Sequence, residues 1–147
     1  MATQDTSTEA YDFLYELLGD DRIALEESVR EQFAADASPH EKHLPDAVVW
    51  PHETEEVSDV LAAANERDIP VTPWSGGSGL EGNAIPTEGG IVLNTYEMDS
   101  VTVREDDLQA VVGPGIVYDD LNDHLARYGL RFPPGISSGD AATIGGM

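Results

Sequence analysis

The chain has 147 residues, 40% of them hydrophobic, which is enough sequence for about one domain with a buried core. It carries 29 Asp and Glu residues against 7 Lys and Arg residues, and its formal net charge is −22. A surface of that charge repels nucleic acid and anionic lipid, so neither is expected as a partner.

The acidic residues are spread along the whole chain rather than gathered in one tail. High salt screens the self-repulsion of such a surface, so halophilic adaptation of the haloarchaeal type is the simplest explanation. The chain contains no cysteine, which excludes disulfides, zinc-thiolate sites and a cysteine nucleophile. We find neither an apolar stretch of transmembrane length nor a signal peptide, and therefore expect a cytoplasmic protein.

Two amphipathic patterns open the chain. Residues 9–19 predict a helix that Ser7 or Thr8 caps and Gly19 ends. Its apolar face is formed by Tyr11, Leu14, Tyr15 and Leu18. A second amphipathic piece spans residues 22–36. We therefore predict an N-terminal helical segment, residues 1–43, in front of a second unit, residues 44–147.

A β-α-β unit opens that second part. The pattern predicts a strand at 47–50, a helix from Thr54 to Asp68 and a strand at 69–74. The apolar residues of this helix are Val57, Val60, Leu61 and Ala64. A unit of about this length is the usual sign of a parallel strand pair.

Strand patterns dominate the rest of the chain. A strand is predicted at 89–95, followed by a hairpin, 100–106 and 108–115, that turns at the acidic residues 105–107. A helix over 118–128 directs Leu121 and Leu125 inward and ends at Gly129, and residues 130–132 look like a further strand.

The stretch PVTPWSGGSGLEGNAIP, residues 70–86, fits G-x-G-x-x-G from Gly77 to Gly82. A Rossmann turn requires a helix directly after it, but Pro86 and the pair Gly89–Gly90 prevent one. No Gly-Lys-Ser/Thr sequence supports a Walker loop. What remains is a glycine-dense loop between strands, either a plain surface turn or a nest of backbone N–H groups that binds an anion.

A second segment, FPPGISSGDAATIGG at residues 132–146, is also rich in Gly, Ser and Thr. Two such segments in one small chain predict two walls around one phosphate-bearing ligand. Ser75 and Ser78 add hydroxyl donors to the first wall. Neutral donors suit a chain with so few cations.

Five motifs follow one another along the chain: FAADAS at 33–38, PWSGGSG at 73–79, VGPG at 112–115, FPPG at 132–135 and ATIGG at 142–146. Together they resemble the FAD-binding domain of the FAD-linked oxidases of the vanillyl-alcohol oxidase and p-cresol methylhydroxylase superfamily. Within that family the chain is most similar to the FAD subunit of glycolate oxidase and to D-lactate dehydrogenases. The resemblance implies an α+β fold, a p-cresol methylhydroxylase-type domain with a β-α-β subdomain followed by a strand-rich subdomain, present here incompletely.

The resemblance also implies which residues bind FAD. The loop around the pyrophosphate would be formed by Ser75, Gly76, Gly77, Ser78, Gly79, Leu80 and Gly82. The side near the ribityl chain and the ring would be formed by Pro133, Ser138, Asp140, Ala142, Thr143, Ile144 and Gly145, with Gly113 approaching from a neighbouring strand. Many relatives carry a flavin-linked histidine where Ser78 stands, so the FAD is expected to be non-covalent. Trp74 stands where arginine is common.

The function implied by the resemblance is that of the FAD-binding portion of a 2-hydroxy-acid dehydrogenase or oxidase, of the glycolate or D-lactate type. Its partners would be a small hydroxy acid and an electron acceptor. Residues 143–147 look like the entrance to a buried element, so we expect a C-terminally truncated chain that is inactive alone and carries no catalytic or metal-binding residue. A non-catalytic flavin- or nucleotide-binding module, or the remnant of a broken gene, is the alternative.

Other candidate residues have simpler interpretations. His40 and His43 form an H-x-x-H pair but fit surface histidines better than a metal site. His124 is expected on the outer face of its helix. Trp50 and Trp74, at strand ends, are expected in the core.

Overall fold

The computed structural model describes residues 9–147. The first helix, α1, spans Asp12–Leu18 and buries Leu14 and Leu18, as the pattern predicts. Gly19 ends it with a φ of 82°. The predicted caps Ser7 and Thr8 lie outside the described residues.

The second amphipathic piece does not form a continuous helix. It divides into a 3-10 turn at Asp20–Arg22, a two-residue strand β1 at Ile23–Ala24, a short helix α2 at Glu27–Arg30 and a 3-10 turn at Glu31–Phe33. The reason is tertiary pairing, because Ile23 lies opposite Val49 in an antiparallel ladder and is buried in the core. This long-range strand pairing overrides the helical preference of the local amphipathic pattern.

A four-stranded sheet forms the centre of the fold, in the order β1-β2-β4-β3. Strand β2 is Ala47–Val49, helix α3 is Thr54–Glu66, β3 is Val71–Trp74 and β4 is Ile91–Asn94. Strands β2 and β3 are parallel to β4 but not adjacent to each other, because β4 lies between them. Every residue of β4 is buried, which is typical of a strand covered on both sides.

The main core lies between this sheet and the helices α1 and α3. Its buried members are Tyr11, Leu14, Leu18, Ile23, Ala47, Val49, Val60, Ala64, Ile91 and Leu93. The buried face of α3 is narrower than the apolar pattern predicts, because Leu61 is 46% exposed whereas Val60 and Ala64 are buried. Tyr11 also donates a hydrogen bond to Asp46, which accepts another from the backbone of Gly90. These contacts fix α1 against the sheet.

The second half of the chain forms the predicted hairpin and helix. Strands β5, Val101–Arg104, and β6, Gln109–Val112, pair antiparallel around a 3-10 turn at Glu105–Asp107. Helix α4 spans Tyr118–Ala126 and buries Leu121 and Leu125, and Gly129 follows it with a φ of 69°. A small second core joins α4 to the hairpin.

Residues 130–132 are not a strand, contrary to the sequence pattern. Side chains of α4 satisfy their backbone instead. The Phe132 N–H donates to the amide oxygen of Asn122, and the Phe132 carbonyl accepts from the hydroxyl of Tyr118. The segment is thereby bound to a helix rather than to a neighbouring strand.

Within residues 9–147, no helix is both long and apolar enough to cross a membrane. The same residues contain no group of three or more His, Asp or Glu side chains placed to hold a metal ion. His40 is exposed and His43 half-buried.

Candidate functional site

The glycine loop, residues 75–84, begins at the carboxyl end of β3. This strand is at the edge of the sheet, where Pro73 is tolerated. Because β3 and β4 are parallel and Trp74 lies opposite Asn94, both strands end at the same level. The Thr95 N–H donates to the Trp74 carbonyl at 2.9 Å and closes this end of the sheet. Loops at this edge are where open parallel sheets bind ligands.

Within the second wall, residues 138–146 run alongside residues 114–118. Val117 and Thr143 form an antiparallel bridge. The N–H groups of Ile144 and Gly145 donate to the carbonyls of Ile116 and Pro114, at 2.9 and 2.8 Å. This pairing fixes the second wall to the segment between the hairpin and α4.

The two glycine-rich segments meet around one cleft, as their composition predicts. The cleft is lined by Pro73, Trp74, Ser75, Gly76, Gly77, Ser78, Gly79, Asn83, Ala84, Thr95, Ala142, Thr143, Gly145 and Gly146. A Cβ on Gly76 would overlap the carbonyl oxygen of Ala141 and lie 3.6 Å from Thr143 Cγ2. Only glycine therefore allows the two walls to approach this closely.

Some predicted cofactor residues lie outside the cleft lining. These are Leu80, Gly82, Gly113, Pro133, Ser138, Asp140 and Ile144. Leu80 is 66% exposed. Gly113 lies at the base of the hairpin, where its N–H donates to Ser100, and Ile144 packs in the second core. Ser138 lies next to the lining, since its carbonyl accepts the Ala142 N–H at 2.8 Å.

Sequence reasoning missed several residues of the lining, notably Asn83, Ala84 and Thr95. Thr95 could have been found from the parallel pairing of β3 with β4, which brings the residue after β4 beside the residue after β3. No sequence pattern predicts that Asn83 and Ala84 line the cleft, because their position depends on how the glycine loop folds back towards the sheet.

Trp74 is half-buried rather than a full core residue. The Phe33 ring packs edge-on against both Trp74 and Trp50, with centroids 5.5 and 5.6 Å apart. The other side of the Trp74 indole contacts Gly77, where a Cβ would overlap the ring. Trp74 thus forms part of the cleft wall as well as part of the packing behind it.

Three buried polar atoms of the lining have no hydrogen-bond partner in the described structure. They are Trp74 Nε1, Ser75 Oγ and Thr143 Oγ1. Thr143 is only 2% exposed. A buried hydroxyl without a partner is costly, so these atoms fit a site in which a bound molecule or an ordered water completes the hydrogen bonds.

No side chain of the described lining is charged. Its donors are hydroxyls, an indole N–H, an amide and the backbone N–H groups of a loop in which Gly77 and Gly82 have positive φ. Such a set can hold an anion through neutral donors. The cavity has a volume of about 210 Å³, below the roughly 300–1,000 Å³ of typical ligand pockets. The cleft alone is therefore too small to enclose a ligand of the usual size.

Residues 45–147 match the model of a protein family described as FAD binding domain. The chain belongs to this family. FAD is therefore its cofactor, as the motifs predicted, and the donor set of the cleft fits the phosphate-bearing part of that molecule.

Two named relatives are similar to most of this chain. A D-lactate dehydrogenase of Archaeoglobus fulgidus is 47% identical over 100 residues, which cover 68% of this chain and 22% of the relative. The glycolate oxidase subunit GlcD of Bacillus subtilis is 37% identical over 115 residues, 78% of this chain and 24% of that one. The chain thus spans under a quarter of the length of these two relatives.

Solved structures confirm the fold. A p-cresol methylhydroxylase with bound substrate superposes with a TM-score of 0.81 at 27% identity, covering 98% of this chain and 29% of that one. An alkyldihydroxyacetonephosphate synthase reaches 0.85 at 23% identity, over 95% and 30% of the two chains, and shows the fold alone. The predicted α+β fold of the p-cresol methylhydroxylase type is correct.

Proposed function

We propose that this chain is the FAD-binding portion of an oxidoreductase that acts on a small 2-hydroxy acid, of the D-lactate or glycolate type. The observation that carries the proposal is the cleft between the two glycine-rich segments, with the unpartnered hydroxyls of Ser75 and Thr143. The names of the relatives supply the substrate class.

In this proposal the glycine loop binds the diphosphate of FAD. Ser75 to Gly79 line the cleft without a charged side chain. Backbone N–H groups and the hydroxyls of Ser75 and Ser78 donate to the phosphate oxygens, while Leu80 and Gly82 complete the loop. Trp74 stands at a position where relatives often have arginine. The phosphates would therefore be bound by uncharged donors in this part of the cleft.

The second wall takes the side of the cofactor nearer to the ring. Ala142, Thr143 and Gly145 line the cleft there, and Thr143 Oγ1 is available as a donor. Gly113, Pro133, Ser138, Asp140 and Ile144 remain part of the proposed binding set at a greater distance from the cleft.

When bound, FAD would accept a hydride from the α-carbon of the hydroxy acid. The residues of this chain bind and orient the cofactor, and we assign none of them to substrate chemistry. Because Ser78 stands where many relatives have the linking histidine, we propose that the cofactor is held without a covalent bond. A cytoplasmic location and a salt-adapted surface remain predictions from composition.

FAD titration combined with an activity assay tests this proposal. Because residues 1–147 span under a quarter of the length of the two relatives, we expect them to bind FAD weakly or not at all by flavin fluorescence in high salt, and not to turn over D-lactate or glycolate with a dye acceptor. The natural gene product that contains them should purify yellow, oxidise one of these acids and release its FAD on acid precipitation. A colourless gene product without affinity for FAD would contradict the function, and flavin that precipitates with the polypeptide would contradict non-covalent binding.

A further inference from the structure

Residues 33–40, here called the support segment, lie along the back of the glycine loop. The Ala37 N–H donates to the Gly77 carbonyl at 3.1 Å. The His40 ring lies where a Cβ on Gly82 would be, with Cδ2 only 2.6 Å from that position. Phe33 packs against Trp74, the residue that precedes the loop. The support segment therefore follows the loop from its beginning to its end.

The Asp36 carboxylate lies at the centre of these contacts. Oδ1 accepts the Ser38 N–H at 2.9 Å, which closes a tight turn in the support segment. Oδ2 is buried and accepts no hydrogen bond of standard geometry. It lies 3.9 Å from the position of a Cβ on Gly79 and so faces the loop.

The electrostatics of Asp36 agree with this geometry. Desolvation acts to raise the pKa of this carboxyl, but hydrogen bonding, chiefly from Ser38, outweighs desolvation, so the pKa lies below its usual value. The ionised form is thus stabilised mainly by the turn at Ser38.

We propose that Asp36 is a positioning residue that holds the backbone of the glycine loop in the conformation that presents its donors to the cleft. A glycine-dense loop has high conformational entropy when free. A carboxylate that closes the turn at Ser38 through one oxygen and faces the loop at Gly79 with its buried other oxygen reduces that freedom before the ligand arrives, which is preorganisation. The effect on the loop follows from the contacts alone, whereas the effect on FAD rests on the proposed function.

The test is a graded series of variants. Asp36→Ala removes both acceptor oxygens, Asp36→Asn keeps one, and Asp106→Asn removes an equal charge from the exposed hairpin turn. Backbone order parameters of residues 75–84 are measured by NMR on the 147-residue chain in high salt. FAD affinity is measured on the natural gene product. We expect loop order to fall most in Asp36→Ala, less in Asp36→Asn and not in Asp106→Asn. FAD affinity should fall by about tenfold in Asp36→Ala and follow the same ranking.

Two results would overturn the proposal. One is an unchanged loop in Asp36→Ala, and the other is an equal loss of order in β4, residues 91–94, which would mean a general loss of stability. If the wild-type gene product bound no FAD while the loop still responded to Asp36→Ala, the proposed function would fail and the positioning role would stand.

Discussion

The indole ring of Trp74 fills the space that a side chain on Gly77 would need. Gly77 also has a φ of +61°, in the left-handed region that glycine adopts without strain. Two independent constraints, packing and backbone conformation, therefore require glycine at this point of the cofactor loop. The ring that imposes the first constraint is itself held by Phe33.

The first prediction concerns Gly77→Ala. We expect a loss of about 2–4 kcal/mol in the free energy of unfolding, with about 1–2 from left-handed strain and the rest from overlap with Trp74. Thermal unfolding in high salt measures it. Gly129→Ala is the matched control, because Gly129 has a φ of +69° with no atom within 4 Å of the added Cβ. Equal losses in the two variants would mean that the contact with Trp74 has no energetic consequence.

The second prediction concerns pH and Glu56. Its carboxylate pairs with Arg22 and accepts the His52 N–H at 2.8 Å. The hydrogen bond from Arg22, followed by that from the His52 backbone, lowers the pKa of Glu56 in spite of desolvation. A depressed folded-state pKa contributes stability above the unfolded value of about 4.3, and this contribution is lost as the pH falls through the folded value.

Glu56→Gln should therefore lower the melting temperature at pH 7, and the difference from wild type should shrink as the pH falls below about 4. Glu55→Gln, on the exposed side of the same helix, should change the melting temperature little at any pH. A constant difference between Glu56→Gln and wild type from pH 3 to 7 would show that ionisation of this group does not contribute.

The sequence was sufficient to predict the elements in which local pattern and tertiary packing agree. The hairpin around Glu105–Asp107 and the helix that buries Leu121 and Leu125 are examples. The two glycine-rich segments were also predicted as walls of one site, because two segments rich in Gly, Ser and Thr occur in one small chain.

Two predictions were wrong because long-range contacts decided the local structure. Ile23 and Ala24 form a strand because Val48 and Val49 lie beside them, although the local pattern is amphipathic. Residues 130–132 are bound by Asn122 and Tyr118 instead of a neighbouring strand. The contact between the support segment and the glycine loop was not predicted for the same reason, because Ala37 and Gly77, which share a backbone hydrogen bond, are 40 positions apart in the sequence.

A third prediction concerns salt. With a formal net charge of −22 on 147 residues, self-repulsion should unfold the chain below about 0.5–1 M KCl, since at 1 M the Debye length is only ~3 Å. Circular dichroism melts over a KCl series measure this, and sucrose at equal osmolality controls for water activity. Identical melts at low and high KCl would remove the halophilic interpretation.

The central claim, that the cleft binds FAD, is tested most directly by removing its unpartnered hydroxyls. Ser75→Ala and Thr143→Val each delete one buried oxygen that has no partner in the described structure, and Thr102→Val, on an exposed position of β5, is the control. In the natural gene product, flavin fluorescence titration should show FAD affinity reduced about tenfold in the first two variants and unchanged in the third. The melting temperature of the FAD-free protein should stay the same or rise in Ser75→Ala and Thr143→Val, because an unsatisfied buried hydroxyl is gone. Wild-type FAD affinity in both cleft variants would contradict the account.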